Sequence, residues 1–202
     1  MTRAEDDEPL RFYASSAQFY AAQGRDGPSR HLADFLARLP AGARILELGC
    51  GSGRDAAAMR AAGFEVDPTD GSPEMARRAE ARLGRPVRVL RFHELAATAQ
   101  YDAVWASAAL LHVPRAALPE ILARIRTALK PGGLHFASYK GGRTEGRDRH
   151  GRYFNYLAQD DLRQAYAASG PWQTLSLVEH LGGGYDPGSV GPWLAVTLRR
   201  PA

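Results

Sequence analysis

The sequence has few of the residues that mark a disulfide scaffold or a membrane protein. Cys50 is the only cysteine among 202 residues, so an internal disulfide is excluded and a reducing compartment is expected. No run approaches the roughly 18 apolar residues that a membrane span needs. The start, MTRAEDDEPL, is acidic where a signal peptide is basic and then apolar. We therefore predict a cytoplasmic protein with no membrane partner.

Lysine is also scarce. The chain has 26 basic and 22 acidic residues, and only Lys130 and Lys140 are lysines. A nucleic-acid surface would need arginines clustered with aromatic residues on one face, whereas most arginines here fall on predicted exposed helix faces. One basic cluster stands out, at residues 140–152. The chain also lacks the His and Cys spacing of a metal site, so neither nucleic acid nor metal is an expected partner.

Strands and helices alternate along most of the chain, with neither an internal repeat nor a linker to divide it, which predicts one domain over residues 1–202. Predicted strands fall at 44–48, 64–69, 87–92, 101–107 and 134–139, and predicted helices at 10–23, 29–39, 54–62, 73–83 and 114–129. Such alternation is typical of a doubly wound α/β fold, a mostly parallel sheet with helices on both faces.

The C-terminal part breaks this alternation. A helix is predicted at 160–168, and two strands follow at 172–180 and 193–200. The segment between these strands has no room for a crossover helix, so they should pair antiparallel. The prediction is a single seven-stranded sheet with a reversed terminal hairpin.

A glycine-rich loop follows the first strand. Gly49, Gly51 and Gly53 stand in ELGCGSG, where a strand runs into a helix. Backbone N–H groups and the positive end of the helix dipole then lie at the carboxyl edge of the sheet, where ligands of such sheets bind. A dinucleotide fingerprint requires G-x-G-x-x-G, but position 54 is arginine. An NAD-linked oxidoreductase is therefore the disfavoured alternative.

Two carboxylates flank this loop. Glu47 ends a buried strand, where a carboxylate needs a donor or a cation. Asp70 ends the next strand, where a carboxylate can accept two hydrogen bonds from a ribose diol. Together they favour a nucleoside ligand that carries an ammonium group and disfavour phosphates near Glu47.

Four ordered segments, ILELGCGSGRD, VDPTDGSPEM, YDAVWASAALLHVP and LKPGG, resemble the class I S-adenosylmethionine-dependent methyltransferases over about residues 30–140. The resemblance implies the strand order 3-2-1-4-5-7-6 with the last strand antiparallel. It also implies an enzyme with S-adenosylmethionine as cofactor and a small molecule as methyl acceptor. A non-catalytic protein that binds the cofactor and an RNA-directed methyltransferase are the alternatives.

The resemblance also assigns cofactor residues. Gly49, Gly51 and Gly53 would pass under the methionine part, Glu47 would lie near its amino group, and Asp70 would hold the ribose hydroxyls. The other predicted cofactor residues are Cys50, behind the cofactor; Arg54, for the carboxylate; Gly71, Ser72 and Met75, beside adenine; Phe92 or His93, facing adenine; and Ala106 or Ser107, behind the methionine part.

The catalytic and acceptor residues are predicted at the same edge of the sheet. His112 follows the fourth strand and is the candidate general base, because the pKa of histidine lies near neutrality; the alternative is a structural histidine. Residues 1–40 would form a helical lid or cap, with Tyr13 and Tyr20 facing the acceptor. The loop at 139–156 would supply Tyr139, Lys140 and Arg152 to an acceptor of anionic character.

Overall fold

A seven-stranded sheet forms the centre of the protein, in a computed structural model that describes residues 7–22, with side chains up to Ser15, 27–183 and 188–202. The strands are β1 (Arg44–Leu48), β2 (Glu65–Asp70), β3 (Arg88–Val89), β4 (Tyr101–Ala106), β5 (Leu129–Lys140), β6 (Gly146–Arg147), β7 (Tyr153–Phe154), β8 (Gln173–Gly183) and β9 (Val190–Arg199). The order in the sheet is β3-β2-β1-β4-β5-β9-β8, and β6 and β7 form a separate hairpin.

Six α-helices and two short 3-10 turns connect the described strands. The helices are α1 (Asp7–Ala22), α2 (Leu32–Leu36), α3 (Arg54–Ala61), α4 (Pro73–Leu83), α5 (Leu118–Ala128) and α6 (Gln159–Ala168), and the turns are Phe92–Glu94 and Leu110–His112. Helix α4 shows why such segments are helical. Its N-cap Ser72 accepts a hydrogen bond from the Met75 backbone N–H, Pro73 opens the first turn, and Gly84 ends the helix at a φ of 63°.

The sheet is covered on both faces, which is why β1, RILEL, is buried along almost its whole length. Apolar residues of α5 and α6 pack against one face, and those of α2, α3 and α4 against the other. On the second face Trp105 of β4 stacks on Phe136 of β5 with ring centroids 4.1 Å apart. None of the described helices is both long and apolar enough to cross a membrane.

The predicted strand order and the antiparallel terminal pair are confirmed. Strand β9 lies between β5 and β8 and runs antiparallel to both. Several predicted boundaries were wrong. Strand β5 spans Leu129–Lys140, where only 134–139 was predicted. The strand predicted at 87–92 shrinks to an exposed pair of residues at the sheet edge, and the helix predicted at 29–39 shrinks to α2. Helix α5 begins at Leu118 because Pro114 starts a turn rather than the helix. The hairpin of β6 and β7 was not predicted.

Candidate active site

The carboxyl ends of the parallel strands open into a cavity of about 730 Å³. Its walls come from the glycine loop after β1, the ends of β2 and β4, helix α1, residues 27–31, and the β8–β9 hairpin. This volume lies within the range of about 300–1,000 Å³ that is typical of small-molecule sites. The topology therefore gathers segments that are far apart in the sequence around one cavity.

The three loop glycines are required for different reasons. Gly49 has a φ of +71°, and a Cβ there would lie 2.7 Å from the Cβ of Ala109. Gly53 has a φ of +77°, and a Cβ there would lie 3.2 Å from that of Ala79 on α4. Gly51 is less crowded, because its Cβ would meet only the Met75 methyl at 3.7 Å. Gly49 and Gly53 let the protein close around the loop, and Gly51 keeps the cradle facing the cavity open.

Glu47 has a carboxylate that the protein only half satisfies. The side chain is 3% exposed and lines the cavity, and the Ala56 backbone N–H donates to it. Its Oε2 atom has no hydrogen-bond partner among the described residues. Burial, together with the nearby carboxylates of Asp55 and Asp70, raises its pKa well above the usual value. A ligand with an ammonium group would supply both the missing hydrogen bond and the missing charge.

Asp70 lies at the end of the neighbouring strand, and the protein holds its carboxylate in place. Oδ1 accepts the Ser72 backbone N–H and Oδ2 accepts the Gly51 backbone N–H, both at 2.9 Å. Burial raises the pKa of Asp70 to about 6, although these two hydrogen bonds oppose the shift. At pH 7 the group is mostly ionised and keeps lone pairs for ligand hydroxyls.

Asp55 is a functional candidate that the sequence analysis missed. Its carboxylate accepts the backbone N–H of Ser29 at 2.7 Å, the Ser29 hydroxyl at 2.6 Å and the Trp105 indole N–H at 2.9 Å. The Ser29 hydroxyl also lies 3.0 Å from that of Ser107. Asp55 thus anchors residues 27–31 as a cavity wall. The only local signal was an acidic residue in the first turn of α3.

His112 lines the cavity and is held by two hydrogen bonds. Nδ1 lies 2.6 Å from the carbonyl oxygen of Tyr153, which can only accept, so Nδ1 carries the proton. Nε2 is then an acceptor, and it receives the Tyr13 hydroxyl at 3.0 Å. Burial lowers the pKa of His112 to about 4, so the expectation of a value near neutrality was wrong. The imidazole is uncharged at pH 7.

Most predicted cofactor residues meet at this cavity. Those that line it are Glu47, Gly49, Cys50, Gly51, Arg54, Asp70, Gly71, Met75, Phe92 and Ser107. Gly53, Ser72, His93 and Ala106 do not line the cavity. Instead, Gly53 allows the glycine loop to pack against α4, and Ser72 caps the N-terminus of α4. Unpredicted lining residues include Leu10, His31, Leu90, Arg91, Ser138, His180 and Trp193. Most of these come from segments whose approach only the tertiary structure reveals.

The acceptor residues predicted on the loop at 139–156 need correction, because none of them lines the cavity. Tyr139 is buried and shares a hydrogen bond with Tyr166 at 3.2 Å. Lys140 lies 4.2 Å over the ring of Phe154. Arg152 is 3% exposed and its guanidinium donates to Asp148 at 2.6 and 2.9 Å. Of the two predicted tyrosines near the N-terminus, Tyr13 lines the cavity, and the side chain of Tyr20 lies outside the described residues.

The fold and this cavity define a class I methyltransferase architecture, with a side-chain-free cradle and two carboxylates at adjacent strand ends. A comparison with protein families agrees, since the model for the methyltransferase domain matches residues 20–170. The chain belongs to this family, as the resemblance implied, and the family's cofactor is S-adenosylmethionine. The cavity fits that cofactor, because Glu47 offers an unpartnered oxygen and the glycine loop a cradle that a Cβ would fill.

Individual curated proteins are similar to this chain in sequence. The biotin biosynthesis bifunctional protein BioCD of Bordetella avium is 38% identical over 115 residues, covering 52% of this chain and 24% of that protein. A ubiquinone biosynthesis O-methyltransferase of Xanthomonas oryzae pv. oryzae is 35% identical over 142 residues, covering 63% and 58%. The chain thus spans about a quarter to three fifths of the length of these curated relatives.

Among solved structures, the 1,6-didemethyltoxoflavin-N1-methyltransferase of Burkholderia thailandensis, with bound 1,6-didemethyltoxoflavin and S-adenosylhomocysteine, has the same fold. The TM-score is 0.77 at 22% identity, over 96% of this chain and 88% of that one.

Proposed function

We propose that this protein transfers a methyl group from S-adenosylmethionine to a small-molecule acceptor bound beside Tyr13 and His112. The observation that carries the proposal is the buried oxygen of Glu47, which has no protein partner in the described chain and lines the same cavity as Asp70 and Gly51. A carboxylate placed in this way calls for a cationic ligand.

The protein's part in this reaction is binding and alignment. The bound cofactor supplies a methyl group already activated by its sulfonium, so no protein nucleophile is needed. Glu47 would hold the ammonium group, and Asp70 would accept the ribose hydroxyls. The cavity would exclude water and align the acceptor with the methyl group, and such positioning removes much of the barrier to a displacement.

Tyr13 and His112 would handle the acceptor's proton. As transfer proceeds, the acceptor oxygen or nitrogen gains the methyl group, and the electron pair of the broken carbon–sulfur bond stays on sulfur. The proton lost by the acceptor passes to Nε2 of His112, either directly or through the Tyr13 hydroxyl. The Tyr153 carbonyl keeps the proton of the neutral imidazole on Nδ1, so Nε2 is able to accept until it takes the acceptor's proton.

Helix α1 would act as a lid over the cofactor. Pro9, Leu10 and Tyr13 line the cavity, and a Cβ on Gly71 would lie only 3.0 Å from Leu10. The helix is tied down at both sides, because Asp7 pairs with Arg91 at 3.0 Å and Phe12 lies 4.5 Å under the guanidinium of Arg152. A cofactor at the glycine loop would therefore be covered by α1, and its entry would require this helix to move.

The size of the cavity also favours a small molecule over RNA as acceptor. A volume of about 730 Å³ with aromatic side chains in its wall suits a compact ligand, whereas RNA would need an extended basic surface. A cytoplasmic location stays a prediction of the sequence.

Two experiments test the proposal. The first titrates the protein with S-adenosylhomocysteine in a calorimeter to measure binding. The second supplies S-adenosylmethionine with a panel of small acceptors and measures the S-adenosylhomocysteine that is formed. Saturable binding and product formed with at least one acceptor are expected. Absence of heat at high micromolar ligand would contradict the proposal. Binding with no turnover across the panel would favour a non-catalytic role.

Cofactor binding should release protons, because Glu47 has a raised pKa and would face an ammonium group in the complex. Ligand binding then favours the ionised carboxylate, so the protonated fraction of Glu47 loses its proton on binding. Calorimetry with S-adenosylhomocysteine in phosphate and in Tris measures this release as a difference in apparent enthalpy. Glu47→Gln should abolish the difference, and Glu65→Gln, at the exposed start of β2, should keep it. Equal enthalpies for the parent protein would refute the role of Glu47.

A His112→Gln variant should lower kcat about 100-fold while leaving S-adenosylhomocysteine affinity unchanged, because removal of a general base costs rate rather than cofactor binding. With a His112 pKa of about 4, kcat at saturating cofactor should stay level between pH 6 and 8 in the parent. Steady-state kinetics across this range provides the check. A fall in kcat centred near pH 6.5 would show that His112 titrates there and would contradict the assignment.

A further inference from the structure

We infer, on the basis of the proposed function, that the acceptor is an uncharged aromatic or heteroaromatic molecule that carries a hydroxyl or a ring N–H. It would bind at the part of the cavity remote from β2 and β3, here called the acceptor end. We define the acceptor end by six of the residues that line the cavity: Tyr13, His31, His112, Ser138, His180 and Trp193. Glu47, Asp70 and Phe92 line the part that the cofactor would occupy.

None of the six residues of the acceptor end has a charged side chain. Burial lowers the pKa of His31, His112 and His180 alike, and Arg30 contributes to the lowering at His31 and His180, opposed at His31 by Asp34. The imidazoles are therefore neutral at pH 7. Arg30 lines the cavity, but it is exposed to solvent. The six side chains themselves offer no counter-charge to a buried carboxylate or ammonium, and burying an unpaired charge is expensive. Arg30 acts on His31 and His180 from a position exposed to solvent, where its charge is screened.

The basic side chains that were expected to bind an anionic acceptor do not line the cavity. Arg152 is neutralised by Asp148, and its guanidinium faces the rings of Phe12 and Phe154 at 4.5 and 5.3 Å. Lys140 lies over Phe154. Arg152 is therefore committed to the packing of the β6–β7 hairpin against α1, and Lys140 to the ring of Phe154, rather than to a ligand.

Aromatic rings form much of the wall of the acceptor end. Trp193 lies directly against the backbone of Gly182, where a Cβ would be only 2.6 Å from the indole Cδ1. Across the acceptor end, the rings of His31 and His180 meet edge to face with centroids 5.0 Å apart, and those of Tyr13 and His112 meet in the same way at 5.6 Å. Such faces and edges favour a planar ring over a flexible aliphatic chain.

Two histidine nitrogens of the acceptor end are available for hydrogen bonds to a ligand. His31 Nε2 and His180 Nδ1 are buried and have no hydrogen-bond partner among the described residues. A neutral imidazole nitrogen either donates or accepts, so the pair can serve a hydroxyl or a ring N–H without any charge on the ligand. A buried polar atom without a partner is unfavourable, and this favours a ligand that supplies one.

The experiment uses the fluorescence of Trp193 in the full chain saturated with S-adenosylhomocysteine. The protein has three tryptophans: Trp105 stacks in the core, Trp172 donates to Ser169, and only Trp193 lines the cavity. Neutral probes are titrated beside their carboxylated counterparts, catechol beside protocatechuate and hydroxyquinoline beside kynurenate. At least one neutral probe should quench the emission and bind at least tenfold more tightly than its carboxylate.

Two variants locate the signal. Trp193→Phe should abolish the probe-dependent quenching, whereas Trp172→Phe, the matched control outside the cavity, should retain it. The inference is overturned if S-adenosylhomocysteine binds but the carboxylates bind as tightly as the neutral probes, if no neutral probe quenches, or if quenching persists in Trp193→Phe. Failure of S-adenosylhomocysteine itself to bind would instead overturn the proposed function, and the inference with it.

Discussion

Replacing Asp70 by asparagine is expected to weaken S-adenosylhomocysteine binding about ten- to hundredfold. Hydrogen bonds to a charged group contribute about 1.5–3 kcal/mol, and each 1.4 kcal/mol is about a factor of ten in affinity. The amide also disturbs the loop, because both oxygens of Asp70 accept backbone N–H groups, from Ser72 and Gly51, and an amide nitrogen cannot accept either. Isothermal titration calorimetry measures the change.

Asp67→Asn is the matched control for this prediction. Asp67 lies on the same strand but pairs with Arg44 at 2.6 Å and does not line the cavity. This variant should bind S-adenosylhomocysteine as the parent does. An Asp70→Asn variant with parental affinity would show that Asp70 makes no contact with the ligand.

The pH dependence gives an independent check. The pKa of Asp70 is raised to about 6, so the carboxylate that accepts ribose hydroxyls predominates above pH 6 and is protonated below it. The advantage of the parent over Asp70→Asn should therefore shrink about tenfold between pH 7.5 and pH 5. Asp70 also contributes to the raised pKa of Glu47, so the pKa of Glu47 is lower in Asp70→Asn and the ratio includes this difference. A ratio that stays constant would mean that Asp70 does not titrate in this range or does not bind the ligand.

Replacing Gly49 by alanine is expected to lower the free energy of unfolding by about 2–5 kcal/mol, from a left-handed backbone (about 1–2 kcal/mol) and a steric contact (about 1–3 kcal/mol). The φ of Gly49 is +71°, and the new Cβ would lie 2.7 Å from that of Ala109, far inside van der Waals contact. In a chain of this size the melting temperature should fall by about 5–15 °C. Thermal unfolding followed by circular dichroism measures both quantities.

Gly42 separates the two contributions, because it has the same φ of +71° and no atom within 4 Å of an added Cβ. Gly42→Ala should show only the backbone part, about 1–2 kcal/mol. Ala109→Gly added to Gly49→Ala should recover the steric part. Equal destabilisation by Gly49→Ala and Gly42→Ala would disprove the contact with Ala109.

Local signals in the sequence were enough to predict the central elements. Strand β1 and helix α4 have the predicted bounds, because a short apolar run and the combination of Ser72, Pro73 and Gly84 act over a few residues. The glycine loop and the two carboxylates were found for the same reason, since each ends a recognisable strand. Strand β3 was overestimated because an edge strand has one neighbour and is held by few hydrogen bonds.

The acceptor residues show where local signals fail. From the sequence, Arg152 was predicted to bind an anionic acceptor. In the structure, Asp148, four residues earlier, neutralises it, and Phe12, 140 positions away in the chain, packs on its guanidinium. The pKa of His112 was misjudged because burial, which the sequence does not display, removes the solvent that stabilises imidazolium. Asp55 was missed because its partner Ser29 lies 26 residues earlier.

The sequence alone determined the order of strands and helices, the bend that carries no side chains and the acidic residues beside it, because each depends on neighbours a few residues away. Only the tertiary structure decided which distant segments meet around the cavity, which cations pair with other groups of the protein, and which histidines are uncharged. These properties depend on burial and on contacts between residues far apart in the chain, and both arise only when the sheet and its covering helices close together.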